Sequence, residues 1–270
     1  MSRPAAILAL AALIAFRPAT AQDTAQDTAQ DTARPQTAQD ILAAADAIRN
    51  PPKPFALVTT LTEYHSGVPA DRMVLKVYSK TERSGGQYRT LIRFLEPERD
   101  RDKLMLKEGN TLWFYDPASK SSVRISPQQR LLGQASNGDV VTVNLSRDYT
   151  ARLGPEESVT DGDHHPRDCV RLDLTATAAD VTYDHIELWV DRSNDYPVKG
   201  KFYSDSSRLL KTAFYRRWEN QLGRERPTET IIIDGIDTSL VTRMQFSDYA
   251  YREIPDDWYQ RDFLPRFQGE

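Results

Sequence analysis

The sequence predicts an α+β chain that is mostly β, with one amphipathic helix leading into an antiparallel meander. Three observations predict it. The hydrophobic period changes from helical spacing to two at Phe55, glycine turns punctuate the alternating segments that follow, and an aromatic hairpin occupies Glu108 to Ile125. Thr37-Ala38-Gln39-Asp40 is a helix start of the capping-box kind, with Asp in place of the usual Glu or Gln. Ile41, Ala45 and Ile48 then share a face, and Asn50-Pro51-Pro52 ends the helix because Pro disfavours helical backbone before it. From there Phe55, Leu57, Thr59 and Leu61 share one strand face. Met73, Leu75 and Val77 share a second, and Tyr88, Thr90, Ile92 and Phe94 a third, with turns at Gly67 and Gly85-Gly86.

The next stretch reads EGNTLWFYDPASKSSVRI. Leu112 and Phe114 alternate with Trp113 and Tyr115, so this strand carries large side chains on both faces and must be covered twice. Gly109-Asn110 supplies a turn in front, and Asp116-Pro117 ends the strand behind. Ser126-Pro127-Gln128-Gln129 has the pattern of an N-cap with Pro at the first helical position, and Leu131-Leu132-Gly133 would close a helix of barely two turns. A second helical piece is expected from Ser146 to Arg152. Strands follow at Val170–Leu174, Ile186–Val190, Val198–Tyr203, Leu209–Tyr215, Thr228–Ile233 and Arg243–Tyr249, for about ten in all.

The hairpin resembles the segment DGKTLWFYNP of the LolA family of periplasmic lipoprotein carriers, with Leu112, Trp113, Phe114, Tyr115 and Pro117 standing as they do there. The order of elements is similar too: a helix, strands, short helices, more strands. The resemblance implies a strongly curved antiparallel sheet, an open and incomplete β-barrel of the LolA/LolB kind, with helices covering its concave face. It implies a carrier that binds lipid or lipoprotein acyl chains in an apolar cavity and moves them between envelope membranes. Its partners would include an envelope transporter or acceptor membrane protein. Beyond the hairpin, identity is not apparent, so the chain is expected to be a divergent member whose cargo need not be lipoprotein.

Composition and the N-terminus bound the compartment. Residues 1–21 have the layout of a secretory signal, with Arg3 before an apolar run from Ala5 to Phe16 and Ala19-Thr20-Ala21 at the cleavage point. That run is shorter than the ~20 residues a spanning helix needs. No Cys lies near the cleavage point to carry a lipid anchor, so a soluble periplasmic protein is expected. Residues 22–36 include the repeat QDTAQDTAQDTA and read as a disordered tether, because nothing in it offsets the entropy of ordering. Residues 37–270 are expected to form one domain. Removing Arg3 and Arg17 with the leader moves the formal charge from -4 to -6, since residues 1–21 carry no acid. An acidic chain is a poor nucleic-acid partner, because that binding depends on Lys and Arg displacing counterions from phosphates. The single Cys169 has no internal disulfide partner and reads as a buried small hydrophobe.

Alternation against charged neighbours such as Arg89, Arg93 and Glu187 turns ten apolar residues inward: Phe55, Leu57, Met73, Leu75, Ile92, Phe94, Leu112, Phe114, Ile186 and Leu188. They are the candidate cavity lining, with an ordinary filled core as the plain alternative. The helix expected at Ser126 to Gly133 offers Leu131 and Leu132 as a lid, or serves as a connector. Arg93 is the candidate for a head-group contact, with a solvated surface residue as its alternative. Asp161, Asp163, His164, His165 and Asp168 are the one metal-like cluster, but Gly162 and Pro166 mark a turn, and a solvated hairpin tip is the better reading. His65 and His185 complete the histidines, and no nucleophile elbow, Walker loop or zinc-protease motif occurs. No cofactor or metal is expected, and no catalytic residue is assigned. Two other classes stay open. One is an accessory protein of an envelope complex, with Trp258, Tyr259, Phe263 and Phe267 as its contact segment. The other is a hydrolase using carboxylates such as Asp256-Asp257.

Overall fold

Thr37 caps the first helix as the sequence predicts. In the computed structural model, which describes Met1 and residues 36–82 and 86–269, helix α1 runs over Ala38–Arg49, and Thr37 and Asp40 form the reciprocal capping box. At the other end the buried Arg226 donates to the Ile48 carbonyl at 2.6 Å, a cation placed where the helix dipole is negative. Tyr88 fixes the chain that follows by donating to the Pro51 carbonyl at 2.7 Å. Apart from Met1, the expected leader, and all but the last residue of the expected tether, lie outside the described residues.

Six antiparallel strands then form a meander: β1 (Phe55–His65), β2 (Val68–Thr81), β3 (Tyr88–Glu96), β4 (Leu104–Glu108), β5 (Thr111–Asp116) and β6 (Ser121–Ile125). A strap follows, containing the short pair β7 (Arg130–Leu132) and β8 (Ala135–Ser136) and the single helical turns α2 (Asn137–Val140) and α3 (Leu145–Asp148). A second meander comprises β9 (Tyr149–Thr160), β10 (Pro166–Ala176), β11 (His185–Asp191), β12 (Pro197–Tyr203), β13 (Leu209–Gln221), β14 (Arg224–Asp234) and β15 (Leu240–Tyr251). The two meanders join where β1 pairs with β15, giving one curved antiparallel sheet in the order β6-β5-β4-β3-β2-β1-β15-β14-β13-β12-β11-β10-β9. It does not close into a barrel, and β6 and β9 are its edges.

The concave face carries the main core. Ile41, Leu42 and Ala45 of α1 and Val140, Val141 and Leu145 of the strap pack there against inward residues of both meanders. The convex face of the first meander has its own apolar layer, in which Tyr78, Leu91, Leu106 and Tyr115 lie under Ile254, Tyr259 and Leu264 of the C-terminal segment. The aromatic strand β5 is therefore covered twice: Leu112 and Phe114 meet the concave core, and Trp113 and Tyr115 meet the C-terminal segment.

Three expectations need correction. Ser126 to Gly133 is not a helix but a turn followed by β7, and the Asn137 and Gly138 amides donate back to the Gln129 and Pro127 carbonyls at 2.9 Å. A helix of two turns satisfies few of its own backbone groups, whereas the hairpin pairs Arg130 with Ser136 and Leu132 with Ala135. Gly133 makes the reversal with φ at +53°, and a Cβ there would lie 2.3 Å from Thr242 Oγ1. The helix expected at Ser146 to Arg152 shrinks to Leu145–Asp148, because Tyr149 already belongs to β9. Fifteen strands are present among the described residues where about ten were expected. The additions include β4 and β9, and β9 is a mostly exposed edge strand with little apolar alternation to read.

Candidate functional site

Between the strap and the middle of the concave face lies a cavity of about 170 Å³. Its floor alternates inward from six strands: Phe55 and Leu57 of β1, Val77 of β2, Phe202 of β12, Ala213 and Tyr215 of β13, Ile232 of β14, and Met244 and Phe246 of β15. Its roof is the strap, from Gly138 through Val143 with Leu145. Gly138 is needed for the close approach, since a Cβ there would stand 2.0 Å from Thr182 Oγ1.

The roof is held by the buried Val140, Val141 and Leu145, which pack into the main core, and by a set of polar contacts. The Thr142 amide donates to Thr90 Oγ1 at 3.2 Å, its hydroxyl shares a hydrogen bond with Ser79 at 2.6 Å, and Gln134 N donates to Thr242 Oγ1 at 2.7 Å. Asn50 of the helix C-cap donates to the Val143 carbonyl at 2.9 Å. Lys211 of β13 rises from the floor and ion-pairs with Asp139 of α2, while Tyr183 donates to the same carboxylate at 2.8 Å. The ammonium is buried, lies 4.8 Å from the centre of the Tyr183 ring, and also donates to the Gln134 carbonyl at 3.2 Å. Burial lowers the affinity of Lys211 for its proton, and the Asp139 charge works in the opposite sense. Burial likewise raises the Tyr183 hydroxyl well above its ordinary value, with Asp139 adding to the effect. Asp148, at the end of the roof, is pushed above its usual 3.8 by burial, against a hydrogen bond from Gln87 and the charge of Lys107.

Of the ten candidate lining residues, Phe55 and Leu57 stand in the cavity wall. Met73, Leu75, Ile92, Phe94, Leu112, Phe114, Ile186 and Leu188 sit on the same concave face in the surrounding core, where Phe94 and Phe114 meet edge to face at 5.8 Å. The sequence reading missed Ile232, Met244 and Phe246, whose strands it identified but whose inward alternation it did not follow. It also missed Tyr183, a loop residue with no periodic signal, and Lys211, whose charge would assign it to solvent. Leu132 is buried and Leu131 half-buried against the main core, and neither lines the cavity. Arg93, the candidate head-group contact, does not line the cavity. Strand alternation puts it on the convex face opposite Ile92 and Phe94, where it ion-pairs with Asp102 at 2.7 Å beside the C-terminal Gly269.

The remaining polar clusters are taken up by structure. Asp161 closes the β9–β10 turn by accepting from the Asp163 and His165 amides at 2.8 and 3.0 Å and from Arg167 Nε at 2.9 Å. Asp173, His185 and Glu187 each bring a potential metal-ligand atom within 4.8 Å of one another. Arg171 already ion-pairs with both acids, and Tyr203 donates to Glu187 at 2.7 Å. Asp256 holds Arg89 at 2.7 Å and Lys80 at 2.9 Å. Trp258, Tyr259 and Phe267 belong to short 3-10 turns and the tail packed on the convex face, with Trp258 and Phe267 edge to face at 4.7 Å. Among the described residues no helix is long and apolar enough to cross a membrane.

Known proteins share this fold. A family model with the description "-like: Uncharacterized protein" matches residues 86–266. The chain is similar to a LolA superfamily protein of Nitrosomonas europaea at 34% identity and a TM-score of 0.74, covering 84% of this chain and 99% of that one. A DUF1329 family protein of Desulfovibrio piger, at 22% identity over 84% of this chain and 97% of its own, has a TM-score of 0.71. A putative outer membrane lipoprotein-sorting protein domain of Vibrio parahaemolyticus, at 18% over 85% and 98%, has 0.68; these two share the fold. No curated protein matches the sequence.

Proposed function

The chain belongs to the LolA superfamily, and from that premise we propose that it is a periplasmic carrier that takes up acyl chains of a lipid or lipoprotein and moves them between envelope membranes. One observation carries the reading: a mainly apolar cavity lies under a strap whose segment Gly138 to Leu145 is held by single helical turns and side-chain hydrogen bonds rather than by the sheet ladder. About 170 Å³ is less than the roughly 300–1,000 Å³ of a typical ligand site, so an acyl chain needs the strap to move outward. The gating element is then the strap from Gly138 to Leu145 together with the β7–β8 hairpin that carries Leu131 and Leu132. The role is one of binding rather than catalysis, and the mainly aliphatic and aromatic floor supports it. A membrane transporter or acceptor would load and unload the carrier.

Organic extraction of protein purified from its own envelope, followed by mass spectrometry, tests the reading, with displacement of an apolar fluorescent probe as a second readout. Ala213→Phe places a phenyl ring in the cavity from the floor and adds no charge. Probe affinity is expected to fall about tenfold or more while the melting temperature moves by only a few degrees. A protein that carries no lipid and binds no apolar probe would overturn the proposal, and unchanged affinity in a folded Ala213→Phe variant would move the site elsewhere.

A further inference from the structure

A second cavity of about 270 Å³ adjoins the first, and Thr182, Tyr183 and Lys211 line both. Across those three residues the chemistry changes. The new chamber is walled by amides and hydroxyls, such as Gln128, Gln134 and Ser136, and by two guanidinium side chains, Arg130 of β7 and Arg208 before β13. Its other charged residues, Lys211 and Asp234, have partners of their own. Lys211 pairs with Asp139. Asp234 accepts from the Ile236 and Asp237 amides at 2.8 and 3.0 Å and thereby closes the β14–β15 turn. Arg130 donates only to the neutral Gln134 Oε1, at 3.2 Å, and among the described residues neither Arg130 nor Arg208 has a carboxylate within ion-pair distance.

Two arginines without a carboxylate partner therefore stand across the Thr182, Tyr183 and Lys211 wall from the mainly apolar cavity. We infer that the cargo is an amphiphile with an anionic head, its acyl chain lying in the cavity of the concave face and its carboxylate or phosphate meeting Arg130 and Arg208 in the adjoining chamber. This rests on the acyl-carrier reading and adds the class of head-group to it. Guanidinium groups suit the role because their planar forks bind carboxylate or phosphate oxygens in pairs, and because they keep their charge at any physiological pH. Lys211, buried at the junction, has its counter-ion Asp139 already in place.

The test compares tetradecanoate and tetradecyl phosphate with tetradecanol, which has the same chain and no charge, and with acetate and inorganic phosphate, which have no chain. At low salt the two anionic amphiphiles are expected to bind about tenfold or more tighter than the alcohol, and the advantage should shrink as salt is added. In Arg130→Gln/Arg208→Gln, two exposed positions, the ratio of anionic amphiphile to tetradecanol affinity measured on the same variant should fall to about one, with the melting temperature as the control for folding. Equal binding of alcohol and carboxylate by the native protein would overturn the inference and leave the carrier reading standing. So would an anionic preference that survives in the double variant. Acetate or phosphate binding as tightly as the long-chain anions would overturn it too, since the chamber would then be a free-anion site unconnected to the cavity. If no tetradecyl compound binds, the carrier reading falls and this inference falls with it.

Discussion

Lys211 and Asp139 show how one residue pair can tie a sheet to its cover. An ammonium buried without a counter-ion would lose its proton or unfold its surroundings, so the pair fixes α2 above β13 wherever the chain keeps both members. Asp148 illustrates the opposite case, a carboxyl whose surroundings disfavour its charge. Its folded value lies above the unfolded 3.8, so the stability it contributes is present below pH 3.8 and is lost as the pH rises through the folded value. At neutral pH the ionised group therefore works against folding. Asp148→Asn keeps an acceptor for the Gln87 side chain and removes the charge. Its melting temperature is expected to exceed that of the native protein at pH 7, with the difference closing below about pH 3.8. Thermal melts at both pH values check this, and a lower melting temperature at pH 7 would show that the charge is favourable through Lys107.

At the scale of elements, the strap and the sheet differ in how their backbones are satisfied. The strands share continuous ladders, whereas residues Gly138 to Leu145 rely on side-chain acceptors such as Thr90 and Gln87 and on single helical turns. Local opening should be cheap there and global in β5. In hydrogen exchange, amides of Gly138 to Leu145 should exchange fast without an amphiphile and markedly slower with one, while Thr111 to Asp116 stays protected in both states. Equal protection of the strap in the two conditions would make it a fixed roof.

Over the whole molecule, the two meanders leave two faces to cover, and the chain covers them by different means. Helix α1 and the strap close the concave side, and the segment from Arg252 to Gly269 lies over the convex side of the first meander. Truncation after Tyr251 would bare Tyr78, Leu91, Trp113 and Tyr115 together, a contiguous apolar patch of the kind that drives association. The truncated protein is expected to bind an apolar surface dye strongly and to self-associate in sedimentation, while a monomer with native dye binding would mean that the tail is dispensable.

Local chemistry in the sequence was enough for the helix, its capping box and its proline stop, for the alternation of the strands, and for the doubly covered hairpin around Leu112 to Tyr115. These depend on residues within a turn or a strand of one another, where spacing and side-chain type act directly on the backbone. The ten inward residues could be placed on one face for the same reason, but only tertiary structure decided that Phe55 and Leu57 border open space while Met73, Leu75 and Ile92 are packed solid. Arg93 needed the fold as well, because a charged residue between apolar neighbours faces away from them and only the sheet's curvature says which side holds the cavity. Ser126 to Gly133 carries a local helix-start signal in Pro127 and the glutamines, yet it folds as a turn and β7. Its pairing is set instead by Gly133 against Thr242 and by Asp139 against Lys211, contacts between residues far apart along the chain. The polar chamber is the extreme case. Arg130 and Arg208 look like ordinary solvated residues in the sequence, and their meaning comes from the shared wall of Thr182, Tyr183 and Lys211 that joins them to the apolar cavity.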